Sequence, residues 1–390
     1  MRMVKITGAY PPAYAQGGTA TVAHYLSKGL MELGHDVFVL TTDVNGGKRL
    51  AVTRGDTCFE GVPVRYCRWI RCPLPYHSFE LVHELRKRIH RFDVALIASS
   101  WTAYGVLAGR ECRRGGLPYV MYSHGSYGPG GLRRSTFKKW VWWRLFDRRL
   151  YNGAAALIAL TRGEVEQIRA MGVDARVEVI PNGVDTASLS VWMGRPDLEA
   201  VLPELKDRPF LLFLGRVDRI KGLDLLIAAF ERVHRRHPEH LLVVAGPSER
   251  GHGRRISKLV KELGLTGSVV FPGLVTGRTK TALLRAADLF VLSSYGEGLP
   301  MAALEAMACG VPVVLTRECN LPEVEEFGAG ALTEATIPSV AEGLEAVLAD
   351  ERGRREMGAR GRTLVERRFQ WEDVCRRTAA LCEEVLSNGG

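Results

Sequence analysis

The sequence predicts an α/β protein made of two doubly wound halves, and three observations carry that expectation. Its 390 residues exceed what one hydrophobic core usually serves, so two domains are expected. Short, nearly all-apolar runs alternate with helical stretches, as in a parallel sheet covered on both faces. After a weakly periodic middle stretch the same pattern begins again. An apolar share of 46% and a charged share of 25% suit a soluble globular chain.

Taken in order, Val4–Thr7 reads as a strand, followed by a Gly/Pro loop that ends at Gly17-Gly18. Thr21–Leu33 carries Val22, Leu26, Leu30 and Leu33 at the period of a packed helix, and Gly34 follows where a left-handed cap is expected. Val37–Leu40 completes a βαβ unit. Further strands are expected at Val62–Tyr66, Val94–Ile97, Tyr119–Tyr122, Ala155–Ala159 and Val177–Ile180. Pro181-Asn182-Gly183 is a turn signal, and the weak periodicity from Thr186 to Arg208 suggests a hinge there. The pattern restarts with Phe210–Leu214, Leu241–Ala245, Ser268–Phe271, Leu289–Leu292 and Val311–Leu315. Trp371–Leu386 reads as a final amphipathic helix. The expected organisation is an N-terminal Rossmann-like domain at 1–185, a second at 186–370, and a crossing helix at 371–390 that packs back toward the first. Ligands of such sheets bind beyond the carboxyl ends of the strands, so chemistry is sought there.

The strongest local pattern is Ser294-Tyr-Gly-Glu-Gly-Leu-Pro-Met-Ala-Ala-Leu-Glu-Ala-Met-Ala-Cys-Gly310, directly after one expected strand and before the next. Pro300 suits the first turn of a helix, where its missing N–H costs nothing. Glu297 then lies in the preceding loop, and Glu305 is expected about two turns along. The free N–H groups along Gly298–Met301, a stretch that includes Leu299 and the N–H-less Pro300, suggest an anion site of the phosphate-binding kind. Glu297 is placed to bond sugar hydroxyls and Glu305 those of a ribose. A purely structural reading of Glu305 is weakened by its apolar neighbours Ala303, Leu304, Ala306 and Met307, since ionised carboxylates are rarely buried without partners.

This stretch resembles the E-x7-E motif, in its EGLP…EAMACGVPVV setting, of the family 4 retaining glycosyltransferases. The resemblance extends from the Gly17-Gly18 loop to the strand after Gly310. It implies two Rossmann-like domains facing across a cleft, the B-type (GT-B) glycosyltransferase fold. It also implies hexosyl transfer, with retention, from a nucleoside-diphosphate sugar to a hydroxyl acceptor, a lipid-linked or cell-surface polysaccharide intermediate fitting the basic first half.

The second pattern is Phe210-Leu-Leu-Phe-Leu-Gly-Arg-Val-Asp-Arg-Ile-Lys-Gly-Leu-Asp224, a strand end followed by Arg216 and Lys221. Fixed cations there favour a departing diphosphate in the transition state, and the resemblance assigns both residues to it. Ser123-His124-Gly125 follows the strand Tyr119–Tyr122. A lone His at a strand end is more often structural, but the resemblance implies that His124 faces the donor sugar near the reacting carbon. Gly17 and Gly18 resemble the N-terminal glycine loop at which backbone approaches diphosphate or acceptor. The family is described as reacting on one face of the sugar, with the leaving phosphate taking the acceptor's proton. Glu297 is then a positioning group rather than a nucleophile.

Charge is unevenly shared: residues 1–185 carry a net +11 and the remainder −1. An anionic partner for the first half is one reading and a merely basic soluble domain the other. Leu132–Tyr151 holds seven Lys/Arg and three Trp (Trp140, Trp142 and Trp143). That composition suits a helix on an anionic membrane, and equally a packed helix with solvated charges. No nucleic-acid recognition motif is present. The eight cysteines show no CxxC pair or zinc spacing and read as reduced thiols. With no DxD triad at a strand end, neither metal nor cofactor is expected. The N-terminus lacks an apolar signal core and no stretch is long enough to span a bilayer. The expectation is a cytoplasmic protein, peripheral on the inner face of the cell membrane. Three rivals stand beside it: a sugar-nucleotide epimerase of the same architecture, a nicotinamide-dependent oxidoreductase of a different class, and a non-catalytic sugar-binding or membrane-adaptor protein, against which intact Glu297, Arg216 and Lys221 argue. The second would want G-x-G-x-x-G after the first strand, a spacing this loop lacks.

Overall fold

A computed structural model of the chain describes every residue except 15–17, 53–54, 71–76, 125–135, 192, 249–250 and 389–390. The chain divides into two compact units, Met1–Gly183 with Trp371–Gly390, and Val184–Gln370. The stretch Thr186–Arg208 lies inside the second unit and holds a helix and two 3-10 turns. The chain passes between units at Gly183/Val184 and again at Gln370/Trp371.

The first unit contains β1 (Arg2–Thr7), β2 (Asp36–Thr42), β3 (Val44–Asn45), β4 (Lys48–Arg49), β5 (Gly55–Phe59), β6 (Val62–Cys67), β7 (Val94–Ala98), β8 (Tyr119–Tyr122), β9 (Ala156–Ala159) and β10 (Val177–Val179). Among the described residues its main sheet runs β10-β9-β8-β7-β1-β2-β6-β5. Every pairing is parallel except β5 with β6. The central strands are apolar on both faces because helices cover both. Its helices are α1 (Gly18–Glu32), α2 (Phe79–Arg88), α3 (Ala103–Arg114), α4 (Thr136–Trp142), α5 (Arg148–Asn152) and α6 (Arg162–Ala170). Ser78, Thr102 and Thr161 start α2, α3 and α6, each side-chain oxygen accepting from the N–H three residues on.

The second unit contains β11 (Phe210–Leu214), β12 (Leu241–Ala245), β13 (Val269–Gly273), β14 (Leu289–Leu292), β15 (Val313–Thr316) and β16 (Gly330–Thr333), all parallel in the order β13-β12-β11-β14-β15-β16. Its helices are α7 (Arg195–Val201), α8 (Leu223–His234), α9 (His252–Glu262), α10 (Gly277–Ala286), α11 (Met301–Ala308), α12 (Glu323–Glu326), α13 (Ile337–Leu348) and α14 (Glu351–Arg368). Helix α13 packs on α8, and α14 on α11.

The last helix, α15 (Trp371–Ser387), belongs to the first unit. It packs on α1, and its Val374, Cys375, Leu381, Cys382 and Val385 join Met3, Leu26, Leu30, Val94, Leu96 and Val120 in one core. Each fully buried aliphatic side chain there contributes roughly 1.5–3 kcal/mol. Gly29 makes the close approach of the two helices possible, since a Cβ at that position would lie 2.5 Å from the Cys375 sulfur.

Besides the two-residue hairpin strands β3 and β4, two strands escaped the sequence reading. β5 is a half-exposed antiparallel edge with Asp56 and Thr57 in it, and β16 is four residues long with only Leu332 as a large apolar residue. Neither gives an apolar run.

Candidate active site

In the second sheet β11 neighbours β12 on one side and β14 on the other, so the chain reverses its winding between β11 and β14. Ligands of open α/β sheets bind beyond the carboxyl ends of the strands at such a point. Arg216 and Lys221 follow β11, and Glu297 follows β14. The topology therefore brings together charges that are 76 positions apart along the chain.

Lys221 ends a 3-10 turn, and Gly222 reverses the backbone at φ 61 before α8 begins. A side chain at Gly222 would be strained, and its Cβ would collide with the Ser293 carbonyl, 1.9 Å away. Ser293 locks the same approach, its hydroxyl donating to the Gly222 carbonyl at 2.8 Å. Tyr295 donates its N–H to Ile220 at 2.8 Å. The loops after β11 and β14 are thus bonded backbone to backbone, and the Lys221 ammonium meets the Glu297 carboxylate at 2.5 Å.

Three further groups fix Glu297. Ser294 donates its hydroxyl to the same carboxylate oxygen at 2.6 Å, Asn320 donates its amide to the Glu297 carbonyl at 2.6 Å, and the Glu297 N–H bonds the Glu318 carbonyl at 2.9 Å. Arg216 is about half exposed, with Asp218 at 3.9 Å. Arg219, between the two cations, is exposed.

Helix α11 begins at Met301, so Pro300 is its N-cap residue rather than part of its first turn. The Met301 N–H bonds the Leu299 carbonyl at 3.0 Å, which removes it from the donors expected to face an anion. Glu305 is the fifth residue of the helix, little more than one turn along and not two. Ala303, Leu304, Ala306 and Met307 are buried as their spacing suggested. Glu305 itself is partly exposed and pairs with Lys280 on α10 at 2.7 Å. Gly298, Leu299 and Pro300 form the turn between the two glutamates.

A pocket of about 620 Å³ opens beyond β11 and β12 and along β13, lined by Val217, next in sequence to Arg216, and by Gly246, Ser248, Arg254, Lys258 and Phe271 among others. The Lys280 partner of Glu305 and the Asn320 partner of Glu297 were not legible in the sequence. Only Ser294, three residues before Glu297, carried a local signal.

In the first unit the corresponding reversal lies between β1 and β7. His124 follows β8 in a left-handed conformation, φ 48, that non-glycine residues adopt uncommonly. Its ring stacks on Tyr122 with centroids 5.6 Å apart, and Lys5 stands over the Tyr122 ring at 3.9 Å. Burial, and then the Lys5 charge, push the His124 imidazole down to about 3, so it is neutral near pH 7. Burial likewise pushes Lys5 down to about 7. Ser123 is tethered by its hydroxyl to the buried Glu164 at 2.7 Å, and Glu164 also accepts the Leu160 N–H at 2.6 Å. A pocket of about 250 Å³ adjoins, with Thr7, Ser99, Ser100, Thr102 and His124 on its walls. Gly18 opens α1, which begins three residues earlier than the periodicity suggested, and Gly17 lies outside the described residues.

Of the basic segment 132–151, residues 132–135 lie outside the described residues. The rest is α4, a π turn at Trp143–Asp147, and α5. Its tryptophans divide. Trp143 is 4% exposed and donates its indole N–H to the Met171 carbonyl, whereas Trp140 is 58% and Phe137 75% exposed. Trp142 donates to Asp147 at 3.0 Å. The segment is therefore core at Trp143 and surface at Phe137 and Trp140.

Comparison with known proteins agrees with this arrangement. The family model described as Glycosyltransferase Family 4 matches residues 16–188, and that of Glycosyl transferases group 1 matches residues 194–364. The alpha-maltose-1-phosphate synthase of Mycolicibacterium smegmatis is 31% identical over 331 residues, 76% of this chain and 81% of that protein. An uncharacterized glycosyltransferase of Methanocaldococcus jannaschii is 26% identical over 97% of both chains. Among solved structures, HepE of Anabaena in complex with UDP-glucose superposes with a TM-score of 0.77 at 19% identity, covering 100% of both chains. The sucrose-phosphate synthase of Thermosynechococcus elongatus gives 0.76 at 20% identity, also over 100% of both. These neighbours are GT-B glycosyltransferases, and the two parallel-sheet units have that fold. With both halves matched in chain order, and a relative nearly a third identical across most of its length, the chain belongs to the group 1 glycosyltransferases of family 4.

Proposed function

We propose that the enzyme moves a hexosyl unit from a nucleoside-diphosphate sugar to a hydroxyl acceptor, with retention at the anomeric carbon. The observation that carries this reading is the pairing of Lys221 with Glu297 at the switch point of the second sheet, with Arg216 alongside. A cation beside a carboxylate suits a ligand that is anionic at one end and rich in hydroxyls at the other.

Arg216 and Lys221 bind the diphosphate and stabilise the charge that grows on its leaving oxygen. Glu297 orients the sugar through its hydroxyls. Its carboxylate already accepts from Lys221 and Ser294, which favours an acceptor's role over a nucleophile's. Glu305, beside Lys280, takes the ribose hydroxyls, and the pocket beyond β11–β13 receives the rest of the nucleoside. The Gly298–Pro300 turn lies along the donor. The acceptor oxygen bonds the anomeric carbon as the bond from that carbon to phosphate breaks, and the acceptor's proton passes to the leaving phosphate. No protein group is covalently modified and no metal is needed for the charge work. His124, neutral, hydrogen-bonds the sugar near the reacting carbon. Gly17 and Gly18 let backbone approach the substrates in the first unit.

The acceptor is a lipid-linked or cell-surface polysaccharide intermediate met at the inner face of the cell membrane. The exposed Phe137 and Trp140, with Lys138 and Arg144 also exposed, support contact with anionic lipid. No helix among the described residues is long and apolar enough to cross a membrane.

The test is a thermal-shift screen of the intact protein against UDP-, GDP- and TDP-sugars, with UDP-glucose first, followed by product analysis with polyprenyl-linked and soluble acceptors. A sugar nucleotide that binds should raise the melting temperature by mass action. No shift with any donor would sink the reading. Turnover of the donor to an epimer without acceptor would replace it with the epimerase alternative.

A further inference from the structure

Between α8 and β12 the chain reads His234-Arg-Arg-His237-Pro-Glu-His240, and the turn Pro238-Glu239 draws its two flanking histidines together. The His240 N–H bonds the His237 carbonyl at 3.2 Å, closing a β-turn with Pro238 at its second position, where the ring presets the backbone. One Glu239 carboxylate oxygen sits between the two rings, 2.9 Å from His240 Nδ1 and 3.5 Å from His237 Nδ1. One ligand atom from each of the three residues lies within 4.8 Å of the other two. In a tetrahedral zinc site, bonds of roughly 2.0–2.2 Å hold the ligand atoms roughly 3.3–3.5 Å apart. The His237–Glu239 edge of 3.5 Å matches that spacing, and the His240–Glu239 edge of 2.9 Å is shorter than it by roughly half an ångström.

The geometry points to a divalent metal site formed by His237 Nδ1, His240 Nδ1 and the Glu239 carboxylate, of the class that takes Zn²⁺, Co²⁺ or Ni²⁺. Two imidazoles and one carboxylate are a borderline donor set suited to these ions, with solvent completing the coordination. His237 is partly exposed and Glu239 exposed, which gives an ion access from solvent.

The surrounding backbone is already fixed. The Arg208 guanidinium donates to the Pro238 and Glu239 carbonyls at 3.1 Å each. His234, at the end of α8, bonds the Ser268 hydroxyl at 2.8 Å. A metal held here would staple the end of α8 to the start of β12. His240 immediately precedes β12, at the amino end of a parallel strand, whereas Arg216 and Lys221 follow the carboxyl end of its neighbour β11. A five-residue strand separates the two edges by roughly 16 Å. The site is therefore structural and takes no part in transfer.

The experiment is titration of the intact, metal-stripped enzyme with Co²⁺, followed by visible absorption, and with Zn²⁺, followed by thermal shift. The expected result is one saturable equivalent with d–d bands, no thiolate charge-transfer band, and a raised melting temperature. His237→Ala, at a partly exposed position, and Glu239→Gln, at an exposed one, should weaken binding at least tenfold while leaving the metal-free melting temperature and donor binding unchanged. Binding by the variants equal to the parent's, a thiolate band from cysteine ligands, or no saturable binding at millimolar metal would each overturn the site. None of these outcomes bears on the proposed transferase chemistry, because that site lies at the other edge of the sheet.

Discussion

Lys221 and Glu297 hold one another at 2.5 Å through loops that leave neighbouring parallel strands, so the cation and the carboxylate are oriented by the fold before any donor arrives. A diphosphate that binds Lys221 must share it with Glu297, and the Ser294 hydroxyl keeps the carboxylate in place meanwhile. Lys221→Ala should lower transfer by roughly 10²–10³-fold, the scale of losing one preorganised charge-stabilising group. The circular dichroism spectrum should be unchanged. Near-normal turnover would remove Lys221 from the diphosphate site.

Glu305→Ala should act on binding more than on chemistry. Loss of a ribose contact of about 1.4 kcal/mol raises the nucleotide Kd about tenfold. Isothermal titration with the free nucleoside diphosphate measures it. An unchanged Kd would mean that Glu305 serves only its ion pair with Lys280.

Gly222→Ala places a side chain at φ 61 against the Ser293 carbonyl. Strain at such a position costs on the order of 1–3 kcal/mol, and relief requires moving the turn that carries Lys221. Both the melting temperature and donor affinity should fall, whereas a fall in neither would mean the turn adapts freely.

The tryptophans of α4 and the π turn should separate cleanly in one assay series. Trp143→Ala should cost about 3–5 kcal/mol as a buried aromatic is lost, read by chemical denaturation. Phe137→Ser with Trp140→Ser should leave stability within about 1 kcal/mol and reduce binding to vesicles containing anionic lipid. Undiminished vesicle binding by the double variant would rule this surface out as the membrane contact.

Lys5 gives the fold a pH dependence of definite sign. Its amine sits near 7 in the folded chain and ordinarily titrates near 10.5, so between those values the unfolded state holds the extra proton. Stability from this residue therefore increases as pH rises from 7 to 10, at a slope of at most about 1.4 kcal/mol per pH unit. Lys5→Met should flatten that rise in pH-dependent denaturation curves. His124 works the same way at lower pH: folded near 3 and ordinarily near 6.5, it withdraws stability as pH falls through that window. Its neutral ring should leave no inflection in the rate between pH 5 and 8.

Much of the fold was legible because parallel strands buried on both faces must be written as apolar runs. Leu241–Ala245 and Leu289–Leu292 are almost nothing else. β5 and β16 were not, since an exposed edge and a four-residue strand require no such run. For the candidate site, Arg216, Lys221 and Glu297 stood out because strand ends, glycines and charges are local patterns. Lys280 did not: its meeting with Glu305 depends on how α10 lies beside α11, which no spacing along the chain encodes. Nor does a sequence reveal that His124 is neutral, because that follows from its burial and then from the Lys5 charge. Trp140 and Trp143, three positions apart along one helical stretch, read alike in sequence, and it is the packing of Trp143, with its indole N–H on the Met171 carbonyl, that divides them.

The return of α15 to the first unit sets an order of events during synthesis. A nascent chain that has emerged as far as Gln370 contains all sixteen strands, yet one face of its first sheet still lacks Val374, Leu381 and Val385. The unit translated first can close its core only once Trp371–Ser387 has been made, so a segment nearly two hundred residues further along decides whether the first ones stay folded. A premature stop at residue 370 would spare every residue of the proposed donor site in the second unit and still deny the N-terminal half its cover, leaving an exposed apolar face for chaperones or proteases to find.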